Sequence, residues 1–250
     1  MIWGRGKKKV DEAEDLVTSD ELELGGEADL ADIDSEGADR EDAPFDADEL
    51  DARFWRSDGP FDVSEVDLEE EPAEGEARID LGSMVVTGFA GAELRLQVTE
   101  ETSQIVSAML IHESSALELG AYAAPRSGGL WAELRDEMSE SATESGGSAS
   151  LVRGPFGVEL RRLLPVTTPE GEEGYQPSRM WVVEGPRWLL RGIIYGEAAL
   201  AEGVDAPVDR LLSAFRRVIV RRGDEAMAPG DLLPLTMPDI ASDDDDDENT

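Results

Sequence analysis

The clearest periodicity along the chain is a strict alternation at Glu93 to Val98, which reads E-L-R-L-Q-V. Leu94, Leu96 and Val98 fall on one side and Glu93, Arg95 and Gln97 on the other, the pattern of a half-buried strand. Ile105 to His112 follows as an almost wholly apolar run, and Leu117, Leu119, Ala121 and Ala123 share one face of a third segment. The connections at Thr99 to Ser103 and Glu113 to Ser115 are short and polar, which predicts an antiparallel meander. After Pro125-Arg126-Ser127-Gly128-Gly129 the period changes to that of a helix. Leu130, Trp131, Leu134 and Met138 recur at helical spacing, Glu133, Asp136, Glu137 and Glu140 face water, and Gly146-Gly147 ends the pattern.

The second half repeats this plan. Strands are predicted near Val158 to Leu164, Met180 to Val183 and Trp188 to Tyr195, then a helix with Asp205 as N-cap, Pro207 in its first turn and a stripe of Val208, Leu211, Leu212 and Phe215. A last short strand is expected at Val218 to Val220. The halves open alike, Phe89-Ala90-Gly91-Ala92-Glu93-Leu94-Arg95 against Phe156-Gly157-Val158-Glu159-Leu160-Arg161; the match suggests a duplication, but it is short and gapped, and chance recurrence of a glycine turn entering a strand is the favoured account. Strands and helices do not alternate one by one, which argues against a doubly wound nucleotide-binding fold. The expected fold is one α+β domain, an antiparallel sheet of about seven to eight strands with two amphipathic helices against one face.

Charge divides the chain into three parts. The whole carries 58 acidic and 22 basic side chains, a net charge of -36. Residues 1 to 77 hold 28 acidic and 7 basic groups, residues 78 to 222 hold 20 and 15, and residues 223 to 250 hold 10 and none. The middle is an ordinary mildly acidic domain. The ends bury too little apolar surface to offset roughly 1 to 2 kcal/mol of backbone entropy per ordered residue. The expected organisation is therefore a disordered acidic tail with a basic tip over 1–51, an acidic-aromatic docking segment over 52–77, the α+β domain over 78–222, a proline-rich extended arm over 223–240 and a disordered poly-aspartate tail over 241–250.

Composition removes whole classes of chemistry. With no cysteine there is no disulfide, thiol nucleophile or zinc ribbon, and His112 is the one imidazole. All three lysines, Lys7, Lys8 and Lys9, lie in the opening MIWGRGKKKV, so the domain offers no Schiff-base or phosphate-loop lysine. No apolar h-region follows that basic cluster, position 2 is Ile2 and not glycine, and no run approaches a membrane span, so a cytoplasmic setting is expected without membrane attachment. The negative charge disfavours direct nucleic-acid contact and favours basic protein partners.

Several segments together resemble one family: RIDLGS at Arg78, ELRLQV at Glu93, AYAAPRSGGLWAELRDEM from Ala121, RGPFGVELR from Arg153, EGPRWLLRG from Glu184 and RRGDEAMAPGDLLPL from Arg221. The chain resembles the actinobacterial domain-of-unknown-function family three-seven-one-zero over about residues 52 to 238. The resemblance implies a bacterial cytoplasmic protein and supplies no activity, ligand or catalytic residue. It does imply that Gly59-Pro60-Phe61-Asp62 and the arm from Met227 to Pro238 belong to the family pattern.

The candidate chemistry is sparse. His112 ends an apolar strand beside Glu113, Ser114 and Ser115, without a nucleophile elbow anywhere, which fits a rim histidine better than a general base. Asp32 to Gly37 imitates the first half of a calcium loop, but Ala43 stands where the bidentate glutamate is needed. Gly128-Gly129, with Arg126 alongside, could present helix N–H groups to an anion, although glycines at that point more often relieve a tight turn. The arginines of the second half suggest an anion face, with Arg126, Arg161, Arg187, Arg191 and Arg217 as its candidates; pairing with local glutamates is the plainer reading. Masking of such a face by the acidic tails is an intermediate possibility.

Phe54, Trp55, Phe61 and Asp62 are the candidate interaction residues of the docking segment, expected to cover the protein's own sheet. The sequence thus predicts a non-enzymatic interaction or regulatory module without a cofactor or metal, whose acidic tails engage basic partners. The alternative is a small-molecule- or anion-binding, or hydrolytic, domain using His112 and the second-half arginines.

Overall fold

The computed structural model describes residues 45–99, 103–168 and 171–238. The tails expected before residue 45 and after residue 238, with the calcium-loop imitation, lie outside the described residues. The elements run α1 (Ala47–Asp51), β1 (Phe61–Asp62), β2 (Glu76–Asp80), β3 (Met84–Phe89), β4 (Glu93–Val98), β5 (Ile105–His112), β6 (Ser115–Ala123) and α2 (Leu130–Glu144). They continue with β7 (Ser148–Gly154), β8 (Gly157–Thr167), β9 (Glu173–Gly185), β10 (Trp188–Gly196), α3 (Glu197–Leu200), α4 (Val208–Arg216) and β11 (Ile219–Val220). The fold class is α+β. An antiparallel seven-stranded sheet has the order β4-β5-β6-β10-β9-β8-β7, and a four-stranded sheet has the order β1-β11-β3-β2.

In the large sheet, the meanders β4-β5-β6 and β8-β9-β10 meet through their last strands, with Leu190 opposite Ala121 and Ile194 opposite Leu117. Residues of β9 and β10 are apolar on both sides because both faces are covered. Trp181, Val183, Leu190 and Ile194 face a core shared with α4 and the small sheet, whereas Met180, Val182, Leu189 and Ile193 face Leu130 and Trp131 of α2. The helices therefore lie on opposite faces, which corrects the expectation of a single helical face. Helical periodicity shows that a helix has one apolar stripe; it carries no information about which side of a sheet receives it. The close approach of α4 depends on Gly192, where an added Cβ would lie 2.7 Å from the Phe215 ring and 3.0 Å from Leu117.

Local signals account for the element ends. Gly147 N–H donates to the Ala142 carbonyl at 2.9 Å and closes α2. The start of α4 differs from expectation: Pro207 is the N-cap, no side chain caps, and Asp205 contributes its carbonyl to Val208 N–H at 2.8 Å.

Both flanking segments pack onto the domain. Phe61 and Asp62 run parallel to Ile219 and Val220, extending the small sheet. In the proline-rich arm, Leu233 N–H donates to Ala121 O at 2.8 Å and Thr236 N–H to Leu81 O at 2.9 Å, with Leu233 and Leu235 buried in the core. The stretch assigned to the acidic tail reaches α1, where Asp46 caps the turn and Leu50 is buried. No described helix is long and apolar enough to cross a membrane.

Candidate functional site

The residues singled out by sequence come to rest in separate places. His112, at the end of β5, lies 3.3 Å from the Gly91 carbonyl through Nδ1 and meets Phe89 edge-on at 5.0 Å between ring centroids. This is a rim packing position. Phe54 is 70% exposed, with the Arg56 guanidinium 5.3 Å from its ring centroid. Trp55 donates through Nε1 to Leu50 O at 2.7 Å and lies so close to Gly157, at φ +96°, that a Cβ there would stand 2.7 Å from the indole nitrogen. Phe61 sits in β1, and Asp62 accepts hydrogen bonds from Ser64 N–H and, at 2.8 Å, from Trp188 Nε1. Burial raises the Asp62 pKa, but the bonds from Ser64 and Trp188 and the Arg56 charge outweigh it, so the net shift is downward.

The five candidate arginines do not form one face. Arg161 donates to Glu159 at 2.9 Å on the α4 side of the large sheet. Arg191 is 3.7 Å from Glu118 and stacks 5.0 Å from the Tyr122 ring centroid on the opposite side. Arg217 pairs with Glu76 on the small sheet. At the sheet end the Arg187 carbonyl accepts from Ala124 N–H at 2.9 Å, and Arg126 is exposed two residues further along. The dispersal follows from strand alternation, which sends Arg161 and Arg191 to opposite faces. At the start of α2, the place of an external anion is taken internally, because Glu184 Oε1 accepts from Trp131 N–H at 2.7 Å.

A second polar group lies deeper. Glu159, 1% exposed, accepts from Arg179 Nε at 2.8 Å and Nη2 at 3.0 Å and from Trp181 Nε1 at 2.7 Å. Arg179 also reaches the carbonyls of Ala201 at 3.0 Å and Gly203 at 2.8 Å. These bonds satisfy the charges and fix the segment after α3, a structural task. Among the described residues, no group of three or more His, Asp or Glu side chains is placed to hold a metal ion.

Among the described residues there is also a concavity that was not read from the sequence. The small and large sheets part along one side, where β2 and β4 are the respective edge strands. Between them lies an apolar groove of about 210 Å³, walled by Gly75, Ala77 and Ile79 on one side and Ala90, Ala92 and Leu94 on the other, with Gly88, Phe89 and Leu110 behind. This is below the roughly 300–1,000 Å³ typical of small-molecule pockets, and is on the scale of one large side chain. Arg78, between two wall residues, points away and holds the carbonyls of Leu68 at 3.4 Å and Asp67 at 3.5 Å, and that of Glu70. It thereby holds the start of an exposed acidic run, Glu69, Glu70, Glu71 and Glu74, on the side of β2 that faces away from the groove. Glu93 opens the β4 wall, its carboxyl held below the usual range by hydrogen bonding and charge from Arg95. The available sequence signal was the alternation of Ala77 and Ile79 directly after the glutamates, and the small residues from Gly88 to Ala92. The boundary expected between residues 77 and 78 cuts through β2 and separates the two.

Comparison with known proteins adds the following. No curated protein matches the chain. Among solved structures, it is similar to the solution structure of cyanobacterial PsbP (CyanoP) from Synechocystis sp. PCC 6803, at 12% identity over 62% of this chain and 98% of that chain, with a TM-score of 0.35. A likeness that low carries no argument. A family model described as "Protein of unknown function (DUF3710)" matches residues 59–244, beginning at the turn that enters β1 and running through both sheets and the arm. Covering well over half of the sequence, this match shows that the chain belongs to the DUF3710 family.

Proposed function

We propose that the protein is a non-enzymatic interaction module, acting in the cytoplasm, that takes up a short basic segment carrying one apolar anchor in the apolar groove between β2 and β4. The observation that carries the reading is the coincidence of three features at one place. Among the described residues β2 and β4 are sheet edges there, Ala77, Ile79, Ala92 and Leu94 form an apolar channel between them, and the exposed glutamates of residues 69–71 and 74 directly precede the β2 wall in sequence. An extended peptide can hydrogen-bond a free edge while one side chain fills the channel. The glutamates supply steering and salt sensitivity. The acidic stretches beyond the described residues add long-range attraction for the same basic partners. The rival reading, an anion-binding or hydrolytic domain built on His112, has less support, since that imidazole faces Phe89 and the Gly91 carbonyl while the arginines are spread over several surfaces.

Fluorescence anisotropy with a labelled nine-residue peptide of lysine, arginine and glycine bearing one tryptophan tests this. Binding in the roughly 10 μM to 1 mM range is expected, as for a contact well under the standard interface size. Ala92→Phe, which fills the channel, should weaken it about tenfold or more. Replacing Glu69, Glu70, Glu71 and Glu74 by glutamine should flatten its salt dependence. Equal binding by all three proteins would contradict the reading.

A further inference from the structure

We propose that one face of the ribbon formed by the far ends of β8 and β9, with the loop between α3 and α4 beside it, docks an amphipathic helix of another protein that carries basic residues along the flanks of its apolar stripe. The surface lies toward the other end of the large sheet from β4 and does not rest on the groove. Strand β7 pairs with β8 as far as Leu163, and β10 pairs with β9 as far as Arg179. Past those points, among the described residues, β8 and β9 run on paired only with each other, from Leu163 opposite Pro177 to Thr167 opposite Glu173. Alternation puts Leu163, Pro165, Tyr175 and Pro177 on the face that carries Arg161 and Arg179. On that side Arg161 Nη2 holds the Glu202 carbonyl at 2.7 Å and Arg179 Nη1 that of Gly203 at 2.8 Å, so the loop from Leu200 to Val204 stands beside the root of the ribbon. The surface is apolar and open. Leu163, Tyr175, Leu200 and Val204 are 40%, 60%, 67% and 42% exposed, half of the eight large apolar side chains exposed among the described residues. Leu164 and Val166, on the ribbon's other face, are half-buried. Two strands alone gain little stability in water, and exposed apolar groups gathered at one place mark a contact surface.

Backbone chemistry and charge select the occupant. An added strand is a poor fit, because Pro165 in β8 and Pro177 in β9 have no N–H to offer at the ribbon's free edges. A helix satisfies its own backbone and needs only a side-chain face. The paired length of the ribbon, about 17 Å, matches about three helical turns. Residues 163–177 and 200–205 contain no lysine or arginine. Their exposed charges are carboxylates: Glu173 shares the face of Tyr175, Glu172 adjoins it, and Glu202 and Asp205 bracket Gly203 and Val204. In a two-fold contact between copies the same patch meets itself, so these carboxylates would face one another on chains of net charge -36. Anionic membranes and phosphate backbones are repelled for the same reason. Cations flanking an apolar stripe are the complementary arrangement, with leucine-sized side chains at i, i+3, i+4 and i+7 meeting Leu163, Tyr175, Leu200 and Val204.

The probe is a helical peptide of about fourteen residues, with leucines at that spacing, lysine and arginine on both flanks and alanine elsewhere, titrated into isotope-labelled full-length protein. We expect saturable amide shifts at Leu163, Tyr175, Leu200 and Val204, with a Kd of about 10 μM to 1 mM. Leu163→Ser combined with Tyr175→Ser should weaken binding about tenfold or more. Glu173→Lys combined with Glu202→Lys should weaken it and flatten its salt dependence. All four side chains are exposed, and an unchanged Tm verifies that each variant folds. A peptide of the same composition with its leucines spread around the helix should bind at least about tenfold less tightly. Equal binding by that peptide, shifts centred elsewhere, or no saturable shifts at millimolar peptide would overturn the proposal. So would dimerisation of the full-length protein, followed by sedimentation, that Leu163→Ser with Tyr175→Ser abolishes, because the face would then be a contact between copies.

Discussion

Trp188 Nε1 donates a 2.8 Å hydrogen bond to Asp62 Oδ2, joining the first residue of β10 to a two-residue strand far earlier in the chain. Asp62 also caps the short turn Val63–Glu65, so one carboxylate serves sheet, indole and turn together. The segment before β2 is therefore part of the domain's cohesion, although its composition is that of an acidic linker.

Asp62→Ala leaves the buried Trp188 N–H without its acceptor and uncaps the turn, at a cost of about 2–4 kcal/mol. Urea denaturation of the variant should show the midpoint displaced with an unchanged slope. A loss below about 0.5 kcal/mol would mean that the strap does not contribute to stability.

The same carboxylate imposes an acid dependence. Its pKa is lowered in the folded state from an ordinary 3.8, so its contribution is present above that value and is lost as pH falls through the folded pKa. Asp80, held low chiefly by its hydrogen bonds from Arg221, acts in the same direction. Acidification also relieves the repulsion among many carboxylates, so the informative quantity is the stability difference between the parent and Asp62→Asn. That difference should be constant from pH 7 to about 5 and should shrink toward pH 3; a difference that grew in acid would have the wrong sign.

Glu159→Ala strands Arg179, which is 1% exposed, without its carboxylate partner. The expected destabilisation is about 3–5 kcal/mol, because the penalty is that of an unpaired buried charge. Thermal unfolding followed by circular dichroism should show it as a large fall in Tm, and a fall of under 2 °C would contradict the structural role given to this network.

At Gly192, alanine would press on Phe215 and Leu117, costing about 1–3 kcal/mol as α4 is pushed from the sheet. Gly174→Ala, with no atom within 4 Å of the new Cβ, is the matched control and should leave the denaturation midpoint nearly unchanged.

How far the sequence revealed this depends on how local each determinant is. The spans expected for the strands at Glu93 and Ile105 coincide with β4 and β5, because short polar connections and simple alternation at a half-buried edge are local properties. The stripe of Val208, Leu211, Leu212 and Phe215 likewise indicated the buried side of α4. By contrast, β3 is apolar through Met84, Val85 and Val86, so it shows no alternation. The strand β7 carries small residues, S-A-S-L-V-R-G, after a helix end that reads as a loop. The placement of Asp62 beneath Trp188 and of Leu233 beside Ala121 is set by contacts between distant parts of the chain. The groove is less legible still, because Ala77, Ala92 and Leu94 acquire meaning only when two edge strands are brought face to face.

The most direct test of the groove as the protein's working surface is an amide-shift map of full-length, isotope-labelled protein titrated with the basic, tryptophan-bearing peptide at about 50 mM and 500 mM salt. The predicted result is a contiguous set of shifts over β2, the turn at Ala90 and β4, saturable at low salt and much weakened at high salt. Shifts centred instead on the Arg191 and Tyr122 face, or no saturable shifts at millimolar peptide, would contradict it.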